Sequence, residues 1–189
     1  MKIGKIIFLF LLLPALSPAS DMKGLWVLDK SELDYQVTHP LHHVTGKSTQ
    51  AEGKGICSGT DCHFIVAVPV KSFDSGDSNR DLHMLQITRG ADYPLIVVQV
   101  EFPTPAGKDF PQEILADLDI QFAGKIAKYP SVKLEMAPLE ESGVRVTANI
   151  PIRLNDFKIE PPSLLGMPID DLVPIQLNTT WKKDIASNR

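Results

Sequence analysis

The chain has 189 residues, a formal net charge of -4, 43% hydrophobic residues and two cysteines. This length and composition suit one domain that buries its core without a metal or many disulfides. An acidic chain without a basic stripe lacks the attraction that dominates nucleic-acid binding, and anionic lipid headgroups would repel it, so we predict no nucleic-acid partner.

The first 19 residues are predicted to be a secretory signal peptide. Lys2 and Lys5 precede an apolar run from Ile6 to Leu13, and the small-residue site Ser17-Pro18-Ala19 follows. The run is too short to span a bilayer, which needs about 20 apolar residues. We therefore predict a mature domain of residues 20–189, with a net charge of -6 after loss of the two lysines. This domain should be periplasmic or secreted and not an integral membrane protein.

Alternation with a period of two recurs along the mature chain and predicts strands with one apolar face. The apolar faces, in chain order, are Leu33, Tyr35, Val37 and His39; Phe64, Val66, Val68 and Val70; Ile96, Val98, Val100 and Phe102; Ala116, Leu118, Ile120 and Phe122; Val132, Leu134 and Met136; Val144, Val146, Ala148, Ile150 and Ile152; and Ile175, Leu177, Thr179 and Trp181. The opposite faces are mostly polar, so each strand should be wet on one side.

Turn and breaker clusters separate these segments, and no long helical pattern lies between them, which favours antiparallel pairing. The clusters are Gly53 and Gly55, Ser75-Gly76-Asp77, Pro103 to Gly107, Tyr129-Pro130, Ser142-Gly143 and Pro161-Pro162. Two short helices are predicted, Ser78 to Thr88 with a cap at Asp77 or Ser78, and a single turn from Ser163 to Leu165. The class is therefore all-β, and the pattern alone leaves a sandwich and a closed barrel open.

The two cysteines, Cys57 and Cys62, flank the turn sequence Ser58-Gly59-Thr60-Asp61. In an oxidising compartment such an even pair predicts a disulfide across a hairpin. A redox motif would need two intervening residues beside a helix, and a zinc site would need further ligands nearby.

Three histidines, His39, His42 and His43, lie in one short stretch and suggest an alternative function as a metal-binding envelope protein. Neither a regular strand nor a common turn would point His39 and His43 the same way, so we predict no metal. Asn79, Arg80, Asp81 and His83 are predicted to form a structural polar cluster, with Arg80 and Asp81 paired and His83 hydrogen-bonded. No catalytic motif is recognisable, so we predict that the protein is not an enzyme.

Several motifs occur in a characteristic order along the chain. They are Trp26 to Asp29, Tyr35 to His39, Val68 to Met84 with its Asn79-Arg80-Asp81-Leu82-His83 run, Tyr93-Pro94, Leu118 to Gly124, and Pro162 to Leu177. This ordered set resembles the YceI family of secreted polyisoprenoid-binding, lipocalin-like proteins. The sequence departs from the family between Leu85 and Asp92, which lacks the common aromatic residues, and in the Cys57/Cys62 hairpin.

The resemblance implies an eight-stranded antiparallel lipocalin-like barrel with one or two short helices, which holds an isoprenoid or fatty-acid-like amphiphile in its apolar interior. We predict no cofactor. Residues predicted to line the apolar interior are Val37, Phe64, Val66, Val68, Ile96, Val98, Val100, Leu118, Ile120, Phe122, Leu134, Val146, Ile150 and Leu177. The alternative from the alternation alone is a structural β-domain whose apolar faces pack on one another. A homodimer is compatible with either interpretation.

Overall fold

The structure, a computed structural model, describes residues 22–105, 111–139, 143–164 and 166–184. The predicted signal peptide lies outside these residues and stays a prediction. The strands are β1 (Gly24–His39), β2 (His42–Ser48), β3 (Glu52–Ser58), β4 (Asp61–Pro69), β5 (Leu95–Pro103), β6 (Glu113–Phe122), β7 (Lys125–Leu139), β8 (Gly143–Arg153), β9 (Ser163–Leu164), β10 (Met167–Pro168) and β11 (Leu172–Lys183). One α-helix, α1 (Ser78–Ile87), and short 3-10 helices at Val70–Ser72 and Leu154–Phe157 complete the described part.

The long strands form a closed antiparallel barrel. Neighbouring strands follow the order β11, β8, β7, β6, β5, β4, β3, β1, and a pairing between β11 and β1 closes the ring. Strands β2 and β3 follow one another along the same edge of β1, with Leu33 opposite Ser48 and Val27 opposite Lys54. The predicted all-β, eight-stranded barrel is confirmed.

The two ends of the barrel are built differently. At the disulfide end, Cys57 and Cys62 lie directly opposite each other on β3 and β4 and are bonded, which confirms the predicted disulfide. At the other end, which we call the helix end, residues 70–94 cross from β4 to β5 and include α1, and residues 154–171 connect β8 to β11. No helix among the described residues is long and apolar enough to span a membrane.

The helix prediction was right for one segment and wrong for the other. The α1 helix begins after Asp77, whose carboxylate accepts hydrogen bonds from the backbone N–H groups of Asn79 (3.0 Å) and Arg80 (3.1 Å). Ser163 and Leu164 instead form β9, paired with β10. The preceding prolines favour extended backbone, and Gly166 with φ 76° turns the chain back after one pair of residues.

Two predicted breaker clusters are also wrong, because both lie inside strands. Gly53 and Gly55 are residues of β3, each with a large aromatic side chain packed over it. Tyr129-Pro130 lies within β7, where the pairing with β6 shifts between Ala116 and Leu118. This bulge accommodates the proline, which cannot donate a hydrogen bond to the sheet, and Ser131 adopts φ 54°.

Candidate ligand-binding cavity

The inward-facing side chains of the barrel surround a cavity of about 200 Å³ whose surface is entirely apolar. Of the residues predicted to line the interior, those that line it are Phe64, Val66, Val68, Ile96, Val98, Val100, Leu118, Ile120, Phe122, Leu134, Val146, Ile150 and Leu177. Alternation along each strand therefore located the cavity wall, and ligand contact at these residues stays a prediction.

Val37 is the predicted lining residue that lies elsewhere. It sits opposite Val44 on the part of β1 that extends beyond the barrel wall. The pairing of β1 with β11 ends at Tyr35, and β3 leaves β4 after Glu52 pairs with Ala67. Val37 is half-buried and packs against the main core from this extension, but it does not reach the cavity lining.

Other lining residues lie where periodicity gives no signal. Met22 precedes the first strand, Phe73 follows a 3-10 helix, and Phe157 belongs to another. Each is buried against the ends of the barrel. A large aromatic residue within a turn-rich segment was the only available clue to Phe73 and Phe157.

Among the described residues that line the cavity, Thr179 supplies the one hydroxyl group, and this hydroxyl is already engaged. It donates a hydrogen bond to the backbone oxygen of Val146 and accepts one from Nε1 of Trp181, both at 3.2 Å. A ligand polar group placed inside would lose its hydrogen bonds to water without replacement. The cavity therefore suits a hydrocarbon segment.

Several inward-facing side chains are only half-buried, among them Val66, Val98, Val100 and Leu177. In a close-packed interior such side chains would be covered by neighbours on the opposite wall. Their remaining accessible surface borders the cavity. The walls therefore do not meet across the middle of the barrel. In a fully packed structural domain they would be in contact there.

An aromatic layer closes the disulfide end. The Phe64 ring stacks on Phe102 with centroids 5.7 Å apart and meets Trp181 edge-on at 5.1 Å. Trp26 lies in the same region, and its Nε1 donates a 2.7 Å hydrogen bond to the backbone oxygen of Met22. All four aromatic residues belong to barrel strands, namely β1, β4, β5 and β11.

A loop closes the helix end. Residues 70–77, which we call the strap, insert Phe73 beside Leu33 and Val68. The strap is fastened to β2 by paired backbone hydrogen bonds between Lys47 and Asp74, both 2.9 Å. A hydroxyl contact of 2.6 Å between Ser48 and Ser72 adds a further link.

The predicted polar cluster is centred on Ser75. Asp81 accepts hydrogen bonds from the N–H (3.1 Å) and hydroxyl (2.6 Å) of Ser75, while Nε of Arg80 donates to the Ser75 hydroxyl at 3.0 Å. The charged partner of Arg80 is Asp77, at 3.9 Å, rather than the predicted Asp81. Asn79 contributes its backbone N–H to the helix cap. His83 is exposed, and within the described part of the chain its imidazole makes no hydrogen bond, so the predicted hydrogen bond of this side chain is not formed.

The cluster fastens α1 to the strap beside Tyr35. Burial raises the pKa of the Tyr35 phenol, and the negative charge of Asp81 raises it further. The Tyr35 ring also packs against Phe73, with ring centroids 5.6 Å apart. These contacts assign the cluster to holding the helix end together.

Two histidines of the metal alternative, His39 and His43, are engaged in local contacts. Nδ1 of buried His39 accepts from the Leu41 backbone N–H at 3.2 Å, and its Nε2 lies 3.3 Å from the Met167 oxygen. His43 is exposed and contacts the Thr38 hydroxyl at 3.3 Å. Among described residues, which do not include the His42 side chain, no three His, Cys, Asp or Glu residues are placed to hold a metal.

Solved structures with the same fold are found at low sequence identity. A polyisoprenoid binding domain from Saccharophagus degradans implicated in plant cell wall breakdown superimposes with a TM-score of 0.66 at 17% identity, over 84% of this chain and 98% of that one. BcnA from Burkholderia cenocepacia gives 0.67 at 15% identity, over 79% and 95%. These likenesses establish the fold.

Sequence comparison identifies the family. Among curated proteins, none matches the chain. The model of the YceI-like domain matches residues 26–181, which is nearly the whole of the barrel. The match and the closed barrel agree, and the chain belongs to the YceI family.

Proposed function

We propose that this protein binds the hydrocarbon chain of an isoprenoid or fatty amphiphile inside its barrel and carries or sequesters it without covalent chemistry. The observation that carries the proposal is the apolar cavity, in whose lining the Thr179 hydroxyl is already hydrogen-bonded. The similar structure from Saccharophagus degradans is described as a polyisoprenoid binding domain, which supports the same ligand class here.

The driving force for such binding is the removal of apolar surface from water. Each buried methylene contributes about 0.8 kcal/mol, before the cost of ordering the chain. An apolar cavity of about 150 Å³ in another protein takes up benzene, so the present cavity of about 200 Å³ has room for part of a chain. A longer chain would displace the strap or extend beyond the helix end.

We also propose that the protein works in the periplasm or outside the cell. The predicted signal peptide is the main support for this location. The buried disulfide agrees with it, because structural disulfides persist in oxidising compartments and are rare in the cytosol.

Native mass spectrometry of the gently purified protein tests the proposal. We expect an additional mass that organic extraction removes and identifies as an isoprenoid or fatty amphiphile. The variant Val98→Phe, which places a ring in the cavity, should lose that mass. The matched control is Val97→Phe on the outer face of the same strand, which should retain it.

Two results would contradict the proposal. One is a homogeneous ligand-free mass for the wild-type protein that does not change after incubation with isoprenoid or fatty alcohols. The other is equal retention of the lipid by both variants, since this would place the lipid outside the barrel. Circular dichroism should establish that both variants are folded.

A further inference from the structure

We propose that Phe64 is the floor of the cavity and limits the length of the hydrocarbon chain that the barrel accepts. This inference rests on the proposed function and adds a specificity-determining residue to it. Phe64 lies on β4 in the aromatic layer that lines the disulfide end of the cavity, and it is the one half-buried ring among the four that form this layer.

The position of the Phe64 ring is made possible by a glycine on the neighbouring strand. Gly55 lies directly opposite Phe64, and a Cβ atom at Gly55 would overlap the ring. Gly53 leaves space for the Trp181 ring in the same way, because a Cβ atom at Gly53 would lie only 2.8 Å from Cη2 of Trp181. Glycine within a strand often marks such a close approach. The two glycines therefore let both rings lie against the wall.

The other rings of this layer also line the cavity but expose little surface to it, so a chain finds no way past the layer. Trp26, Phe102 and Trp181 are each at most 7% exposed, and the bonded cysteines beyond them are at most 1% exposed. Phe64 is only half-buried, so one side of its ring remains accessible and borders the cavity. Its contacts with Phe102 and Trp181 keep it from turning aside.

The helix end provides the entrance. Its closing side chains, Phe73 and Phe157, belong to the strap and to a 3-10 helix rather than to the strands. Loops open at a lower free-energy cost than paired strands. A chain that enters there with its polar head outside would meet Phe64 with its apolar tip.

The test measures the affinity of linear primary alcohols of increasing length for the wild-type protein and for Phe64→Ala. In the wild type we expect each added methylene to tighten binding about fourfold, until a limiting length after which affinity stops rising. In Phe64→Ala the limit should move to longer alcohols, with the same gain for each methylene. The control Ile65→Ala removes a large apolar side chain from the exposed outer face of the same strand and should leave the limit unchanged.

A second pair of variants tests the role of the glycine. Gly55→Ala should push the Phe64 ring into the cavity and shorten the limit, whereas Gly55→Ala with Phe64→Ala should behave like Phe64→Ala alone. If the wild type binds alcohols but Phe64→Ala keeps its limit, or Ile65→Ala shifts the limit equally, the floor assignment is overturned and the binding function stands. If the wild type binds no alcohol of any length, the binding function itself fails, and the floor assignment fails with it.

Discussion

The two ends of the barrel are both closed by aromatic side chains, but these side chains are carried by different kinds of structure. At the disulfide end Trp26, Phe64, Phe102 and Trp181 project from paired strands. At the helix end Phe73 projects from the strap, which is held by individual hydrogen bonds to β2 and α1 rather than by a continuous strand ladder. We therefore expect the aromatic closure on paired strands to be rigid, and the aromatic closure on the strap to be the one that can open.

The difference matters for access to the cavity. Opening the disulfide end would require breaking strand pairs and separating a covalent bond, since β3 and β4 are joined by Cys57 and Cys62. Displacing the strap requires breaking its links to β2, which are the Lys47–Asp74 backbone pair and the Ser48–Ser72 contact.

The largest effect is expected from Trp26→Ala at the rigid end. This change empties a fully buried site that paired strands cannot collapse into, and it removes the hydrogen bond to the Met22 oxygen. The free energy of unfolding should fall by about 3–5 kcal/mol. Urea unfolding followed by circular dichroism measures it. If Trp26→Ala lowers the free energy of unfolding no more than Phe73→Ala does, the two ends do not differ in rigidity.

Phe73→Ala is the corresponding change at the movable end. The strap can relax into the space left by the ring, so we expect the free energy of unfolding to fall by only about 2–3 kcal/mol. Ligand release should become roughly tenfold faster, because a ring that blocks the exit is lost. Stopped-flow displacement of a fluorescent fatty acid measures the rate. An unchanged rate would mean that the strap does not control access.

Replacing both cysteines by serine should act on stability alone. The bond closes a short loop between Cys57 and Cys62, and the chain-entropy model assigns such a loop about 2 kcal/mol. Thermal unfolding should show this loss, while the ligand release rate should match that of the wild type. Faster release from the serine variant would indicate that ligand also passes through the disulfide end.

The smallest effect is expected from Tyr129→Phe, which loosens the 3-10 helix that carries Phe157. The Tyr129 hydroxyl donates a 2.8 Å hydrogen bond to Asp156, and its loss should lower the free energy of unfolding by about 1 kcal/mol at neutral pH. Burial, together with that hydrogen bond, raises the pKa of Tyr129 to about 12.

The pH dependence of that difference has a definite sign. Between pH 10 and about 12 the unfolded chain loses the Tyr129 proton while the folded protein keeps it, so wild-type stability falls as the pH rises. Below pH 10 the Tyr129 hydroxyl is protonated in both states, and its contribution to the free energy of unfolding is fully present. The gap between wild type and Tyr129→Phe should therefore narrow across this interval in urea titrations at several pH values. A gap that widens would contradict the assigned hydrogen bond.

The walls of the barrel could be predicted from sequence, whereas its ends could not. Alternation identifies residues such as Val98 and Ile120 because burial on one face of a strand is a local property of the sequence. Phe73 and Phe157 lie in segments without periodicity, and their burial depends on distant strands. Sequence motifs of the family implied a closed barrel where alternation alone left a sandwich open.

The glycines of β3 show a different limit of sequence interpretation. Gly53 and Gly55 have low intrinsic preference for strands, and as a pair they indicate a turn. Their strand conformation depends on Phe64 and Trp181, which belong to β4 and β11 and fill the space over them. A glycine that leaves space for a side chain of another strand is not recognisable from the hydrophobic pattern of its own strand.

The engaged hydroxyl of Thr179 has a consequence for the heat of binding. Since it donates to the Val146 oxygen and accepts from Trp181, a water molecule inside the cavity would find no partner in the lining. Entry of a chain would then release little ordered water from the protein. Calorimetry should record a favourable enthalpy at room temperature and a negative heat-capacity change that comes mainly from the hydrocarbon surface of the ligand.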